Sequence, residues 1–443
     1  MSPSNAAVVC VFFILAIFFL DRDRDCQISP ALWIPVAWLS ISGSRMVSQW
    51  VGGASLGTAD QILEGSPFDA KILSGIIAAG LMVLIARRHQ VRTFLGMNKP
   101  LLIFFAYCLV SVFWSEYPAV AFKRWTKAVG DLVMVMMVLT DPEPTAAIKK
   151  FFSRSGFVLI PVSVLLIKYY PSLGRGYSDW TGEAYNNGVA TQKNGLGYDC
   201  LIFGLASFAS LFDALRGHKR GRVAGPLIAH GAILALTFWL FNMAHSATSL
   251  TCFLLGSCFM LIASLRVFAN RPGNLHLLVG VLLFTACYAT ILNPGAGLLE
   301  SVGRDSTLTG RTEIWTLALS MDKNPLFGAG YESFWLQKRV NAALNYEWKG
   351  APPNQAHNGF LQVYLDLGWS GVALLGLVMV WGYRNIGRTL RLDPEAGRLK
   401  LTLLLVVIVY NLTEAAFRDL HPVWIVFILA VAAAPDPSDW AAA

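Results

Sequence analysis

Four side chains that can hold phosphate or move a proton, Arg304, Arg311, Arg339 and His357, fall in one polar stretch, about Pro294 to Asn358. Apolar runs flank it on both sides. Its two sharpest pieces are Thr309-Gly310-Arg311-Thr312-Glu313-Ile314-Trp315 and Gln355-Ala356-His357-Asn358-Gly359-Phe360-Leu361-Gln362. An arginine in the opening turn of a helix opposes the positive end of the helix dipole, at a cost of about 0.3–1 kcal/mol. A bound anion reverses that sign, because a guanidinium beside free helix amides makes a phosphate cradle. The plainer reading of Arg311 is a solvated cation, or one paired with Glu313. His357 stands where the chain re-enters an apolar run, at a helix start, which suits a neutral imidazole able to accept a proton. A histidine that only caps that helix, directly or through Asn358, is the alternative.

A second polar stretch ends in Gln192-Lys193-Asn194-Gly195. It places Lys193 and Asn194 at another helix start, where a second phosphate contact could form; a lysine snorkelling at a span end is the bland equivalent. Trp114 to Pro118, followed by Lys123, Arg124 and Lys127, reads as an amphipathic outer segment suited to lipid headgroups or to substrate. Asp131, Asp199, Asp213, Glu414 and Arg418 lie in or near apolar runs, where ionisable groups are costly. Glu414 and Arg418, four apart, are expected to pair with each other; Asp199 is a secondary site candidate. There is no phosphate loop of the G-x-x-x-x-G-K type, no His-Glu-x-x-His, no nucleophile elbow and no metal-spaced Cys/His set. No metal and no cofactor are expected. The Asp21-Arg22-Asp23-Arg24-Asp25 run reads as a juxtamembrane charge cluster.

The elements that must carry these residues follow from composition. Of 443 residues, 55% are hydrophobic and only 14% charged, whereas a soluble chain carries about a quarter charged residues. The apolar runs are continuous and not alternating, so the expected fold is all-α, a polytopic helical bundle. Thirteen runs, near 5–20, 28–47, 71–86, 100–115, 128–140, 152–170, 195–215, 224–242, 247–265, 275–293, 360–382, 399–415 and 421–434, predict about 12 spans. The first run carries no removable leader signature and is expected to remain as an anchor. The seven cysteines sit mostly in apolar runs and read as small core hydrophobes. The net charge of +8 comes from short basic loops between spans, so lipid orientation and not nucleic acid explains it. Loops 87–92, 216–222, 266–271 and 384–400 fall on one side when the runs are counted. That side is expected to be cytoplasmic, with 171–193 and 294–358 outside. The chain thus divides into helices of 1–293, an extracytoplasmic loop of 294–358 and helices of 359–443. Within the loop a helix from Thr309 to about Lys323 should end at Asn324-Pro325.

Leu308 to Trp315, then Asn324-Pro325-Leu326-Phe327-Gly328-Ala329-Gly330-Tyr331, then His357 to Gln362 and Leu367-Gly368-Trp369-Ser370-Gly371 resemble the O-antigen ligase and polymerase superfamily, most of all its exopolysaccharide-polymerising branch. The resemblance implies a GT-C-like glycosyltransferase of the bacterial inner membrane, metal-independent and inverting, acting on undecaprenyl-diphosphate-linked oligosaccharide. It makes His357 the base and Arg311, with Arg304 and Lys193, the diphosphate-binding set, supported by Asn358, Asn194 and His245. His245 stands where relatives often carry another basic residue. Membrane lipid, a flippase and a chain-length regulator are the partners implied. Transfer of finished polysaccharide to lipid A core by a ligase uses the same groups. A transporter of this size should show repeated halves and matched Gly/Pro breaks in its spans, which the chain lacks.

Overall fold

The computed structural model describes the chain except for residues 23–25, 53–64, 178–181, 217–223, 270, 293–308, 322–323, 337, 339, 342–352 and 436–443. Arg304, Arg339 and part of the 294–358 stretch therefore lie outside the described residues. In chain order the described α-helices of six or more residues are α1 (Pro3–Leu20), α2 (Trp33–Ser42), α3 (Val47–Gly52), α4 (Pro67–Ala86), α5 (Arg88–Met97), α6 (Lys99–Ser111), α7 (Pro118–Leu139) and α8 (Pro144–Tyr169). There follow α9 (Lys193–Leu215), α10 (Ala224–Ala244), α11 (Ala247–Ala263), α12 (Pro272–Leu292), α13 (Thr309–Met321), α14 (Gly359–Leu392), α15 (Pro394–Tyr410) and α16 (Pro422–Val431). A short antiparallel hairpin, β1 (Arg175–Tyr177) with β2 (Ala184–Asn186), is the only sheet among the described residues. The all-α membrane architecture read from composition is the one observed.

Each of the thirteen apolar runs is helical, yet fewer helices could cross a bilayer alone. Seven are long and apolar enough, α1, α4, α8, α9, α10, α12 and α14, or eight if α5 and α6, bent by 86° at their junction, count as one. Length explains most of the difference from about 12; α7 is long enough at 22 residues but carries Lys123, Arg124, Lys127 and Asp131. A span needs about 20 residues to cross about 30 Å of hydrocarbon, and α2 and α16 have 10 each. Every residue of α16 is buried, so it is a core helix enclosed by its neighbours. Side-chain caps fix several helix starts: Asn358 Oδ1 accepts from the amides of Phe360 and Leu361, and Asp393 Oδ1 from those of Glu395 and Ala396.

Charged contacts gather at one end of the bundle. Arg87 pairs with Asp141 at 3.1 Å, and Lys150 with Asp21 at 2.6 Å. Lys149 pairs with both Asp213 (2.6 Å) and Glu395 (3.1 Å), joining α8, α9 and α15. Arg216 donates to the Ser264 carbonyl, which ties the end of α9 to the end of α11. Asp131 is buried in α7, where it accepts from Trp38 Nε1 at 2.7 Å and from the Leu420 amide at 3.1 Å. Asp199 is buried beside Gly43, and neither carboxyl oxygen has a partner among the described residues.

Candidate active site

The end of the bundle opposite those ion pairs carries the start of α14, the helix α13 and the loop 411–421. The α14 start is clamped to the loop: the Gly359 amide donates to the Asn411 carbonyl at 2.8 Å, and Asn358 Nδ2 to the Leu412 carbonyl at 3.0 Å. A Cβ on Gly359 would run into the Asn411 side chain, so glycine is what allows this approach. His357 precedes the cap with φ +49°, a left-handed conformation that a non-glycine residue keeps only when its surroundings impose it. Trp315 Nε1 donates to the Ala356 carbonyl at 2.7 Å and draws α13 alongside. Arg311 lies four residues before Trp315, on the same helix face.

These contacts converge on Glu414. Its Oε1 accepts from Arg311 Nη2 at 3.2 Å and lies 3.5 Å from Asn194 Nδ2, and its Oε2 lies 3.6 Å from His357 Nδ1. The Glu414 side chain is 10% exposed, that of Arg311 16% and that of His357 29%. Gln355 Nε2 is a further neighbour of His357 Nδ1, at 3.5 Å. A carboxylate facing Nδ1 favours the tautomer with its proton there, which leaves Nε2 as the nitrogen able to accept one. The expected Glu414–Arg418 pair is therefore corrected: Glu414 serves Arg311, His357 and Asn194 instead. Spacing of four predicts a pair only within a continuous helix, and α15 ends at Tyr410, before either residue.

Two sequence motifs turn out to be a main-chain lock that holds α13 and α14 in place. Helix α14 is broken at Gly368, whose φ is +65°. The break frees amides and carbonyls that residues 325–330 satisfy: Ala329 and Gly330 amides donate to the Leu365 and Asp366 carbonyls (3.0 and 2.8 Å). Trp369 and Ser370 amides donate in return to the Pro325 and Leu326 carbonyls (2.8 and 3.1 Å). Gly328, at φ +69°, meets the Asp366 backbone, and Gly368 meets that of Leu326. Buried Asp366 and Gln362 complete the tie. Asp366 Oδ1 accepts from the Ser333 and Phe334 amides at 3.0 Å, and its Oδ2 from Gln362 Nε2 at 2.8 Å. Gln362 Oε1 accepts from Trp335 Nε1 at 2.8 Å and from the Ala356 amide at 3.1 Å.

The other sequence candidates lie nearby but outside the carboxylate hub. Lys193 is exposed at the first position of α9, next to Asn194. His245 is exposed, also left-handed at φ +49°, just before α11. The α11 start abuts the same loop, with Thr413 Oγ1 3.5 Å from Thr248 Oγ1. Glu332, between the lock and α7, is buried and its carboxyl is pushed up to about 8. Burial is the main cause; the charge of Arg418 opposes it and those of Asp366 and Asp419 add to it. Sequence reasoning missed Glu414, Gln362 and Asp366 as organisers of the site. The signal for Glu414 was present, since a carboxylate in an apolar run is a functional group by default.

Residues 231–376, which include His245, Arg311 and His357, match the family profile described as O-antigen ligase. Across a longer stretch the chain is similar to the exopolysaccharide production protein ExoQ of Rhizobium meliloti (strain 1021). The two are 28% identical over 323 residues, 69% of this chain and 70% of that one. Both likenesses support the O-antigen ligase and polymerase superfamily, the second its exopolysaccharide branch. Its apolar helices make the chain a multi-pass membrane protein, and the two likenesses point to an enzyme of the O-antigen ligase or polymerase type. The profile match ends at 376, so Glu414 and the rest of the 411–421 loop fall beyond it.

Proposed function

We propose that this chain polymerises undecaprenyl-diphosphate-linked oligosaccharide repeats into exopolysaccharide on the outer face of the inner membrane. The observation that carries the reading is the single carboxylate, Glu414, shared by a guanidinium suited to diphosphate and an imidazole suited to a hydroxyl proton. In the reaction an acceptor hydroxyl attacks the anomeric carbon of the donor while the bond from that carbon to the diphosphate oxygen breaks. The hydroxyl proton passes to His357 Nε2, and the electron pair leaves with the diphosphate. Attack opposite the leaving group inverts the anomeric centre. Arg311 and Lys193 supply the positive charge that a departing diphosphate needs, in a step proposed to run without a metal. Arg304 is proposed for the same role from outside the described residues.

Purified protein reconstituted with lipid-diphosphate repeats tests the reading. His357→Ala should leave single repeats unextended, and chelators should leave wild-type turnover unchanged. Polymer at the wild-type rate from His357→Ala would remove the base, and chelator-sensitive turnover would overturn the metal-free step. A deletion strain separates polymerase from ligase: single lipid-linked repeats should accumulate, whereas accumulated full-length lipid-linked polymer would assign transfer to another acceptor.

A further inference from the structure

Arg418 differs in setting from the cations of the hub. Its side chain is exposed, although Phe417 and Leu420 on either side are buried at 6% and 9%. The loop that presents it is anchored from several directions. The Ala416 amide donates to Asn411 Oδ1 at 2.9 Å, and the Leu420 amide to buried Asp131 at 3.1 Å. Phe417 packs edge-on against Phe360, Trp424 and Phe427, with ring centroids 5.3–5.8 Å apart. Leu420 is held at φ +51°, strain that a leucine keeps only under such constraint. A guanidinium is therefore offered from a fixed backbone, with little further ordering needed to bind.

The acids around Arg418 already have partners. Asp419 pairs with Lys127 at 3.8 Å, and Glu332 lies 4.0 Å from Arg124, which also donates to its carbonyl. Asp366 is taken by two amides and Gln362. Among the described residues no carboxylate comes within 4.0 Å of Arg418, so it is a cation left over in a cluster otherwise paired. Its position relative to the hub follows from α9. Asn194 and Tyr198, four apart, share a face of that helix; Asn194 reaches Glu414, and the Tyr198 ring lies 4.7 Å from that of His421. The segment from Glu414 to His421 thus runs along α9 from Asn194 to Tyr198, so Arg418, within it, lies up to one helical turn, about 6 Å, further along α9 than Glu414. That direction runs into the bundle, away from α13.

We infer that Arg418 binds the lipid-proximal phosphate of the diphosphate-linked substrate, while Arg311 and Lys193 serve the sugar end. A lipid diphosphate enters with its tail in the bilayer, so its inner phosphate passes the deeper cation. A planar guanidinium grips such a group through two parallel hydrogen bonds. The inference deepens the function proposed above and rests on it.

The test uses the full chain purified in nanodiscs, with undecaprenyl diphosphate as the binding probe and tryptophan fluorescence as the readout. Arg418→Gln should weaken binding about 10- to 100-fold, the loss of one charge-assisted hydrogen bond. Arg418→Lys should recover part of it. Thermal midpoints should match wild type, because the side chain is exposed and unpaired; a lowered midpoint with unchanged affinity would make Arg418 structural and overturn the inference. Equal affinity in wild type and Arg418→Gln would also overturn it, as would failure of the wild type to bind the probe. Phosphatidylglycerol that competes as well as the diphosphate would assign the site to a lipid headgroup instead. Polymer formation is scored separately: a wild-type chain that binds the probe through Arg418 yet makes no polymer would refute the polymerase reading and leave this site standing.

Discussion

Replacing Glu414 with glutamine keeps the length and nearly the shape of the side chain while removing its charge. Its Oε1 position can still accept from Arg311, which donates to it at 3.2 Å in the native protein. The Oε2 position, 3.6 Å from His357 Nδ1, becomes an NH₂ donor. Nδ1 must then accept, the ring proton moves to Nε2, and the nitrogen that should receive the hydroxyl proton is blocked. The same exchange behind a histidine in a serine-protease triad costs about 10⁴-fold in turnover. The separation here is longer than a hydrogen bond, so the expected loss is smaller, roughly 10²- to 10³-fold, or about 2.7–4 kcal/mol of barrier. Single-turnover polymerisation with saturating lipid-diphosphate donor reads this directly, with folded protein normalised by size-exclusion chromatography. Activity of Glu414→Gln within about threefold of wild type would show that the carboxylate only neutralises Arg311 and does not orient the base.

Arg311→Lys should lose most activity at equal membrane levels, because an ammonium cannot reproduce the two-bond grip of a guanidinium; full activity would leave Arg311 a structural cation. Gly368→Ala should cut the yield of folded protein, since φ is +65° and the added methyl meets the Leu326 backbone; a wild-type melting profile would refute the lock. The Glu332 carboxyl is raised from an ordinary 4.5 to about 8, so the folded state holds a proton that the unfolded chain releases. Stability should therefore fall as pH rises from about 4.5 to about 8, and Glu332→Gln should flatten that fall; thermal melts showing wild type gaining stability over this range relative to the variant would reverse the assignment. For orientation, Glu313→Cys in a cysteine-free chain should react with an impermeant thiol reagent in intact spheroplasts, and Arg391→Cys only after lysis; the opposite pattern would invert the bundle.

Hydropathy made the helices legible because continuous apolar runs have few alternatives in a bilayer, and all thirteen runs are helical. It could not tell a lipid-crossing helix from a buried one. α16 is as apolar as any span, but only its neighbours reveal that every side chain faces protein. Arg311, His357, Asn358 and Asn194 were legible from residue type at helix starts, and the structure brings them to one place. Glu414 was visible as an ionisable group in an apolar run, but its partners come from α9, α13 and the α14 start, far away in sequence. The glycine motifs were legible as motifs and not as their role. A positive φ at Gly328 matters only because a broken helix, some forty residues later, offers unpaired carbonyls to it.

The ion pairs at the opposite end bear on this site through length. Nineteen positions separate Asn194 from Asp213 along α9, and nineteen separate Glu395 from Glu414 along α15 and its loop. At 1.5 Å per residue the α9 path is about 28 Å, and the helical part of the other, Glu395 to Tyr410, about 22 Å before the turn to Glu414. Asn194 reaches Glu414 at one end, and Lys149 bridges Asp213 and Glu395 at the other, so two neighbouring struts are closed into a frame. Neither strut can slide without opening a corner. The tolerance with which Glu414 meets its imidazole is thus set partly by a lysine on the far side of the bundle.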